Sequence, residues 1–151
     1  DLIVASGKGG CEIPEEAVAV HLWGASGGIV RTRRDLQLQA RDKGRPWDWG
    51  KAFDRSAPIA PLVPIAEVPS LSSGRIWLAV NGATKQDADL ADLIWSVREH
   101  VSILSRSMTL APGDIVMTGT PAGVGPLLPG DEVTGGITGL AEIAVTIGER
   151  I

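Results

Sequence analysis

A single cysteine, Cys11, stands in the 151 residues, so no internal disulfide forms. A reducing compartment, the cytoplasm, is the expected location. The Gly9-Gly10-Cys11 setting reads as a turn carrying a surface or half-buried structural thiol, not a nucleophile. Histidine is scarce too: with only His21 and His100, a histidine-based triad has thin support. No Cys/His pair has metal spacing, and neither Gly-x-Ser-x-Gly nor a Walker glycine loop is present. No stretch approaches the ~18 consecutive apolar residues of a membrane span, and no signal peptide is visible. Fourteen Lys and Arg against eighteen Asp and Glu leave a net charge of −4, which argues against a nucleic-acid footprint. Neither nucleic acid nor a membrane is expected as a partner.

What is present, a sequence 44% apolar, suits one domain with one sizeable core. The chain opens on Asp1 and runs straight into Leu2-Ile3-Val4-Ala5, which reads as the middle of a strand. Residues 1–151 are therefore expected to be a single domain of a longer protein, its beginning missing.

Leu2 to Ser6 is a strand stopped by Gly7-Lys8-Gly9-Gly10. Pro14-Glu15-Glu16 marks a helix start, with Ala17, Val18 and His21 carried on to Trp23 and an end at Gly24. Gly24 to Val30 reads as a strand with close backbone approaches. Thr32 is a plausible N-cap for a helix from Arg33 to about Asp42, Asp35 completing a capping-box-like pair, and Gly44 and Pro46 end it. The proline-rich run from Gly50 to Ser70 predicts an extended loop with an edge strand or two. Gly74 to Val80 is an alternating strand, and Asn81-Gly82 predicts a hairpin returning through Ala83 to Gln86. Ala88 to Arg106 reads as the best helix, with Leu90, Leu93, Ile94, Val97, Val101 and Leu104 in one stripe. His100 lies off that stripe and reads as solvated. Strands follow at Ile115 to Thr118, Val133 to Ile137 and Glu142 to Ile147. The fold class is α+β and β-rich, since strands outweigh helices and form hairpins rather than βαβ units.

Chemistry concentrates between Thr32 and Asp54, where six cations, four carboxylates, two glutamines and three aromatic rings crowd one helix and its loop. Two readings stand: a solvated helix and surface loop, or an anion-binding segment in which Arg34, Gln37 and Lys51 converge on an acidic substrate. Asp35, Asp42, Asp48 and Asp54 fit no standard cation loop and are read as caps and arginine partners. Gly119-Thr120-Pro121-Ala122-Gly123 is either a glycine turn or a cradle of N–H groups for a carboxylate. The five tryptophans need burial or a partner. Most are read as core or loop packing, with Trp47 and Trp49 as candidates to line a pocket.

Four elements occur in a telling order. They are Thr32-Arg33-Arg34-Asp35-Leu36-Gln37, Gly44-Arg45-Pro46-Trp47 through Gly50-Lys51-Ala52-Phe53-Asp54, the Val80-Asn81-Gly82 hairpin, and Pro112-Gly113-Asp114 through Thr118-Gly119-Thr120-Pro121-Ala122-Gly123-Val124-Gly125. The pattern resembles the fumarylacetoacetate hydrolase family, and within it the acylpyruvate and fumarylpyruvate hydrolases of aromatic catabolism. The resemblance implies a mixed β-sandwich roll with a few peripheral helices, forming a homodimer. It implies metal-dependent hydrolysis of a C–C bond in a small acidic β-diketo acid such as fumarylpyruvate. Oxaloacetate decarboxylation or tautomerisation on the same fold, and a non-catalytic homologue with a decayed metal site, are the alternatives. Carried over by position, Arg34 and Gln37 would hold substrate oxygens, Lys51 would stabilise developing negative charge, and Gly119 and Thr120 would bind the pyruvate carboxylate. The implied cofactor is Mg2+ or Mn2+, with Ca2+ a third candidate. Family members hold it with a Glu-x-Glu pair and an Asp four residues before the arginine. Asp1 falls at the second Glu and Val30 at the Asp, while Ala25 replaces a usual aromatic. The family's His-Glu dyad belongs to an N-terminal lid with no counterpart in this sequence.

Overall fold

The computed structural model describes residues 1–149. Among these residues eight strands form two antiparallel four-stranded sheets. The first is ordered β3 (Val63–Pro64), β2 (Leu22–Gly27), β1 (Leu2–Ser6), β6 (Ile115–Met117). The second is ordered β5 (Ala83–Asp89), β4 (Arg75–Val80), β7 (Glu132–Ile137), β8 (Ile143–Thr146). Among the described residues three short α-helices lie outside them: α1 (Arg34–Arg41), α2 (Asp48–Lys51) and α3 (Val97–Ser107). This is the β-rich α+β architecture expected from the sequence.

The larger core gathers Leu2 and Val4 of β1, Val18, Val97 and Val101 of α3, Leu110 and Ile137. A smaller one joins Ile29 and Ala60 to Val133 and Ile143. The hairpin turns where it should: Val80 pairs Ala83, and Asn81 and Gly82 take φ of 50° and 78°, as the favoured two-residue turn requires. Close approaches in β2 and just after it are equally real. A Cβ on Gly24 would lie 2.4 Å from the Val63 carbonyl, and one on Gly28 would lie 2.3 Å from Ile3 Cδ1.

Two helices differ from the sequence reading. After Pro14 the chain makes only a 3-10 turn, Glu15–His21, and β2 begins at once at Leu22. The stretch from Ala88 to Arg106 is not one helix. β5 continues to Asp89, whose side chain accepts from Ala91 N–H and caps a single 3-10 turn, Leu90–Asp92. A second capping box, Ser96 with Glu99, then starts α3. Two successive caps override the apolar periodicity, so Leu90 is buried while Ile94, on the same notional stripe, is 93% exposed. Within α3 the buried Ser105 hydroxyl is satisfied: it donates to the Ser102 carbonyl (2.7 Å) and accepts from Ile13 N–H (2.8 Å). The tryptophans are not core residues either. Trp23, Trp47, Trp49 and Trp95 are 46% to 81% exposed, and Trp77 is half-buried. Cys11 is exposed, as its turn context suggested.

Candidate active site

Past β2, residues 27–33 run antiparallel to residues 50–60. Ala60 N–H donates to Gly27, Ile29 to Pro58, Arg31 to Ser56 and Arg33 to Gly50, all between 2.8 and 3.0 Å. This clamp fixes the start of α1 against α2. A Cβ on the buried Gly50 would stand 3.0 Å from Gln37 N, so the glycine lets the two helices touch. Gln37 is the one buried residue of α1, and Arg34 Nη1, one turn earlier, donates to its Oε1 at 2.5 Å. The i, i+3 spacing seen in the sequence brings these two groups together. Lys51 Nζ donates to Thr32 Oγ1 at 3.0 Å.

That bond corrects one expectation. Thr32 caps nothing: the N-cap of α1 is Arg33, with no side-chain cap hydrogen bond. Asp35 is not in a capping box but accepts a fork from Arg33 Nε and Nη2 at 3.0 and 2.7 Å. The Arg33 guanidinium, with backbone N–H groups beside it, holds the Asp35 carboxyl at about 2. Asp42 pairs with Arg41 at 3.1 Å. Arg34 and Lys51 take part in none of the ion pairs among the described residues.

The second half of the site is the loop after β6. Thr118 N–H and Oγ1 both donate to the Leu2 carbonyl, at 3.1 and 3.0 Å, tying the loop to β1. Gly119 and Gly123 take φ of +106° and +101°, where side chains are strained. Thr120 is exposed, and its Oγ1 accepts from Gln86 Nε2 at 2.9 Å; the same nitrogen donates to the Pro121 carbonyl at 2.7 Å. Gly119 and Thr120 edge a cleft of about 380 Å³ whose walls include Leu2, Leu90, Trp95 and His100. His100 is thus not simply solvated. It is half-buried, and its Nδ1 donates to the Ser96 carbonyl at 3.1 Å. His21 is a structural tie, bonded through Nδ1 to the Lys8 carbonyl at 2.9 Å.

The structure therefore brings Arg34 to Gln37, and Lys51 to Thr32, around one helix pair. Gly119 and Thr120 sit around a separate loop, and no hydrogen bond joins the two groups among the described residues. Trp47 and Trp49 line neither this cleft nor the smaller recess beside Asp1. Gln86 is the site residue that sequence reading missed. Its signal was period-two alternation through Gln86, Ala88 and Leu90, obscured by assigning the latter two to a helix.

Asp1 lies beside Gly27, Gly28 and Ile29, and its backbone exchanges hydrogen bonds with Gly28 at 2.8 and 3.0 Å. Two residues on from Gly28, the Val30 side chain offers no ligand atom. Among the described residues no three His, Cys, Asp or Glu side chains group to hold a metal ion. A hard divalent cation takes six or more oxygens, and these residues do not fit one.

The family model for the fumarylacetoacetate (FAA) hydrolase C-terminal domain matches residues 1–148. The chain belongs to the fumarylacetoacetate hydrolase family. It is 45% identical to a fumarylpyruvate hydrolase of Ralstonia sp over 148 residues, covering 98% of this chain and 77% of that one. It is 37% identical to the mitochondrial oxaloacetate tautomerase FAHD1 of Mus musculus, covering 95% of this chain and 65% of the mouse protein. The crystal structure of fumarylpyruvate hydrolase from Pseudomonas aeruginosa, in complex with Mn2+ and pyruvate, superposes with a TM-score of 0.96. Identity there is 50%, over 99% of this chain and 64% of that one. The chain thus spans about two thirds of the mouse and Pseudomonas proteins. No helix among the described residues is long and apolar enough to cross a membrane.

Proposed function

We propose that this domain serves an acylpyruvate hydrolase that cleaves a C–C bond of a fumarylpyruvate-like β-diketo acid in aromatic-compound catabolism, as a cytoplasmic homodimer. The observation that carries the reading is the pair of cations, Arg34 and Lys51, held by Gln37 and Thr32 and neutralised by no carboxylate among the described residues. Unpaired cations beside neutral hydrogen-bonding groups suit a substrate that brings its own negative charge.

In the reaction, water adds to the carbonyl remote from the pyruvate half. The C–C bond then breaks, its electron pair stays on the pyruvate carbon as an enolate, and a proton gives pyruvate and the free acid. Arg34 and Gln37 would hold substrate oxygens, and the Lys51 ammonium would stabilise the negative charge that builds in the transition state. Thr120 and the Gly119 backbone would receive the pyruvate carboxylate. The Mn2+ in the Pseudomonas relative supports a divalent cofactor for the family chemistry, with Mg2+ or Ca2+ as substitutes. The described residues do not themselves complete a site for it: Asp1 is one carboxylate, and Val30 adds none.

Tautomerisation or decarboxylation of oxaloacetate is the second reading, favoured by the likeness to FAHD1. Following loss of enol absorbance with fumarylpyruvate and with oxaloacetate separates the two. Turnover of oxaloacetate alone, or of neither, overturns the hydrolase reading; turnover of neither supports a non-catalytic homologue.

A further inference from the structure

Gln86 sits on β5, 9% exposed, with its carboxamide turned toward the loop from Thr118 to Gly125. Its Nε2 lies 2.7 Å from the Pro121 carbonyl oxygen and 2.9 Å from Thr120 Oγ1. A carbonyl oxygen only accepts, so the atom facing Pro121 must be the NH2 and not the amide oxygen. Both amide hydrogens then have acceptors, and Thr120 Oγ1 is committed to accepting. A hydroxyl has one hydrogen, and with a donor already on its oxygen that hydrogen is left for another acceptor. Thr120 is exposed and edges the 380 Å³ cleft, so that acceptor is a ligand or solvent. One lone pair of the Thr120 oxygen is taken by Gln86, which turns the O–H hydrogen away from β5 and toward the cleft.

From this geometry we infer that Gln86 is a positioning residue: it makes the Thr120 hydroxyl a hydrogen-bond donor and so selects a carboxylate ligand there. The inference deepens the acylpyruvate reading and rests on it for the identity of the carboxylate. A second contact supports the same docking. Gly123 lies so close to β5 that a Cβ would meet the Lys85 carbonyl at 2.0 Å, so the loop is seated on β5 at two successive residues, Lys85 and Gln86. Gln86 touches neither of the cations Arg34 and Lys51 in the hydrogen bonds described, which makes its effect separable from theirs.

The test is a double-mutant cycle read by calorimetric titration with pyruvate on the full protein, using Gln86→Leu, Thr120→Val and the double variant. Gln86→Leu is expected to weaken pyruvate binding about tenfold, the scale of one hydrogen bond to a charged group. In the Thr120→Val background it should cost nothing further, because the hydroxyl it orients is gone. A merely structural Gln86 would weaken binding again in that background. Gln86→Glu, whose ionised carboxylate cannot donate, should match or exceed the loss and serves where Gln86→Leu fails to fold. Unchanged affinity in Gln86→Leu or Gln86→Glu, additive losses, or no pyruvate binding by the wild type would each overturn the inference. Fumarylpyruvate turnover is scored separately: a wild type that binds pyruvate with the expected coupling yet hydrolyses nothing sinks the hydrolase reading and upholds the role of Gln86.

Discussion

Gly123→Ala is expected to loosen the whole loop from Thr118 to Gly125, and its size follows from the contact it would make. The new methyl carbon would stand 2.0 Å from the Lys85 carbonyl oxygen, at a φ of +101°. No rotamer change relieves a clash between a Cβ and backbone, so the loop must lift by an ångström or more. Remaining in place would cost about 1–2 kcal/mol for the left-handed backbone alone, before the overlap. Lifting breaks the two bonds from Gln86 Nε2, to Thr120 Oγ1 and the Pro121 carbonyl, worth roughly 1 kcal/mol each. Lifting is the cheaper route, so the loss should be about 2–3 kcal/mol, near 5–10 °C in melting temperature for a chain of this size. Gly125→Ala is the internal control: its Cβ would meet nothing within 4 Å, and its φ is not positive. Thermal melts followed by far-UV circular dichroism measure both. If Gly123→Ala melts within about 1 °C of wild type, or Gly125→Ala falls as far, the loop is not seated on β5 as described.

Lys51→Met should lower fumarylpyruvate turnover about a hundredfold or more, with the melting temperature unchanged because the side chain is exposed; equal rates in the enol-absorbance assay would remove Lys51 from the mechanism. Ser96→Ala breaks a capping box and should cost about 1 kcal/mol, whereas Ile94→Ser, at a residue 93% exposed, should change stability by less than ~0.5 kcal/mol; the reverse order would restore one continuous helix. In acid, Asp35, Asp87 and Asp131 all titrate below their ordinary range because they accept hydrogen bonds, from Arg33, from Arg75, and from Leu128 N–H and Asn81. Their folded pKa values lie below the unfolded ones, so the stability they add is present above the ordinary carboxylate value of about 4 and lost as pH falls through the folded values, about 2 for Asp35. Melting temperature measured down that window should drop, and Asp35→Asn should make the drop shallower. Val30→Asp would set a carboxylate on the face that extended alternation gives to Asp1, the partner of Gly28. Mn2+ affinity by calorimetry should rise about tenfold or more with the added charged ligand, and no rise would show that position 30 does not face Asp1.

Local chemistry made most strands legible. Asn81-Gly82 dictates its turn through backbone freedom alone, and the alternation of Ile76, Leu78 and Val80 has no competing period. Helices were harder because their signals overlap. Glu15 and Glu16 behind Pro14 suit an α-helix and a 3-10 turn equally. Leu90, Leu93 and Ile94 share a helical stripe with Val97 and Val101 only on paper, since Asp89 and Ser96 each spend a side chain on starting a new turn. In the site, Arg34 with Gln37 is an i, i+3 pair and was readable as such. Thr32 with Lys51 was not, because their contact depends on the ladder between residues 27–33 and 50–60. Gln86 could be found only once β5 was known to reach Asp89.

The loop from Thr118 to Gly125 closes the gap between the sheets. β6 is the edge of the first sheet and β5 the edge of the second, and edge strands left open invite pairing with other chains. Thr118 fastens one end of the loop to β1 through the Leu2 carbonyl, with both its N–H and its hydroxyl. Gly123 and Gln86 fasten the other end to β5. Thr120 lies between these anchors, so its position is set by both sheets at once and by neither alone. A displacement of one sheet against the other must therefore move Thr120 or break a named hydrogen bond.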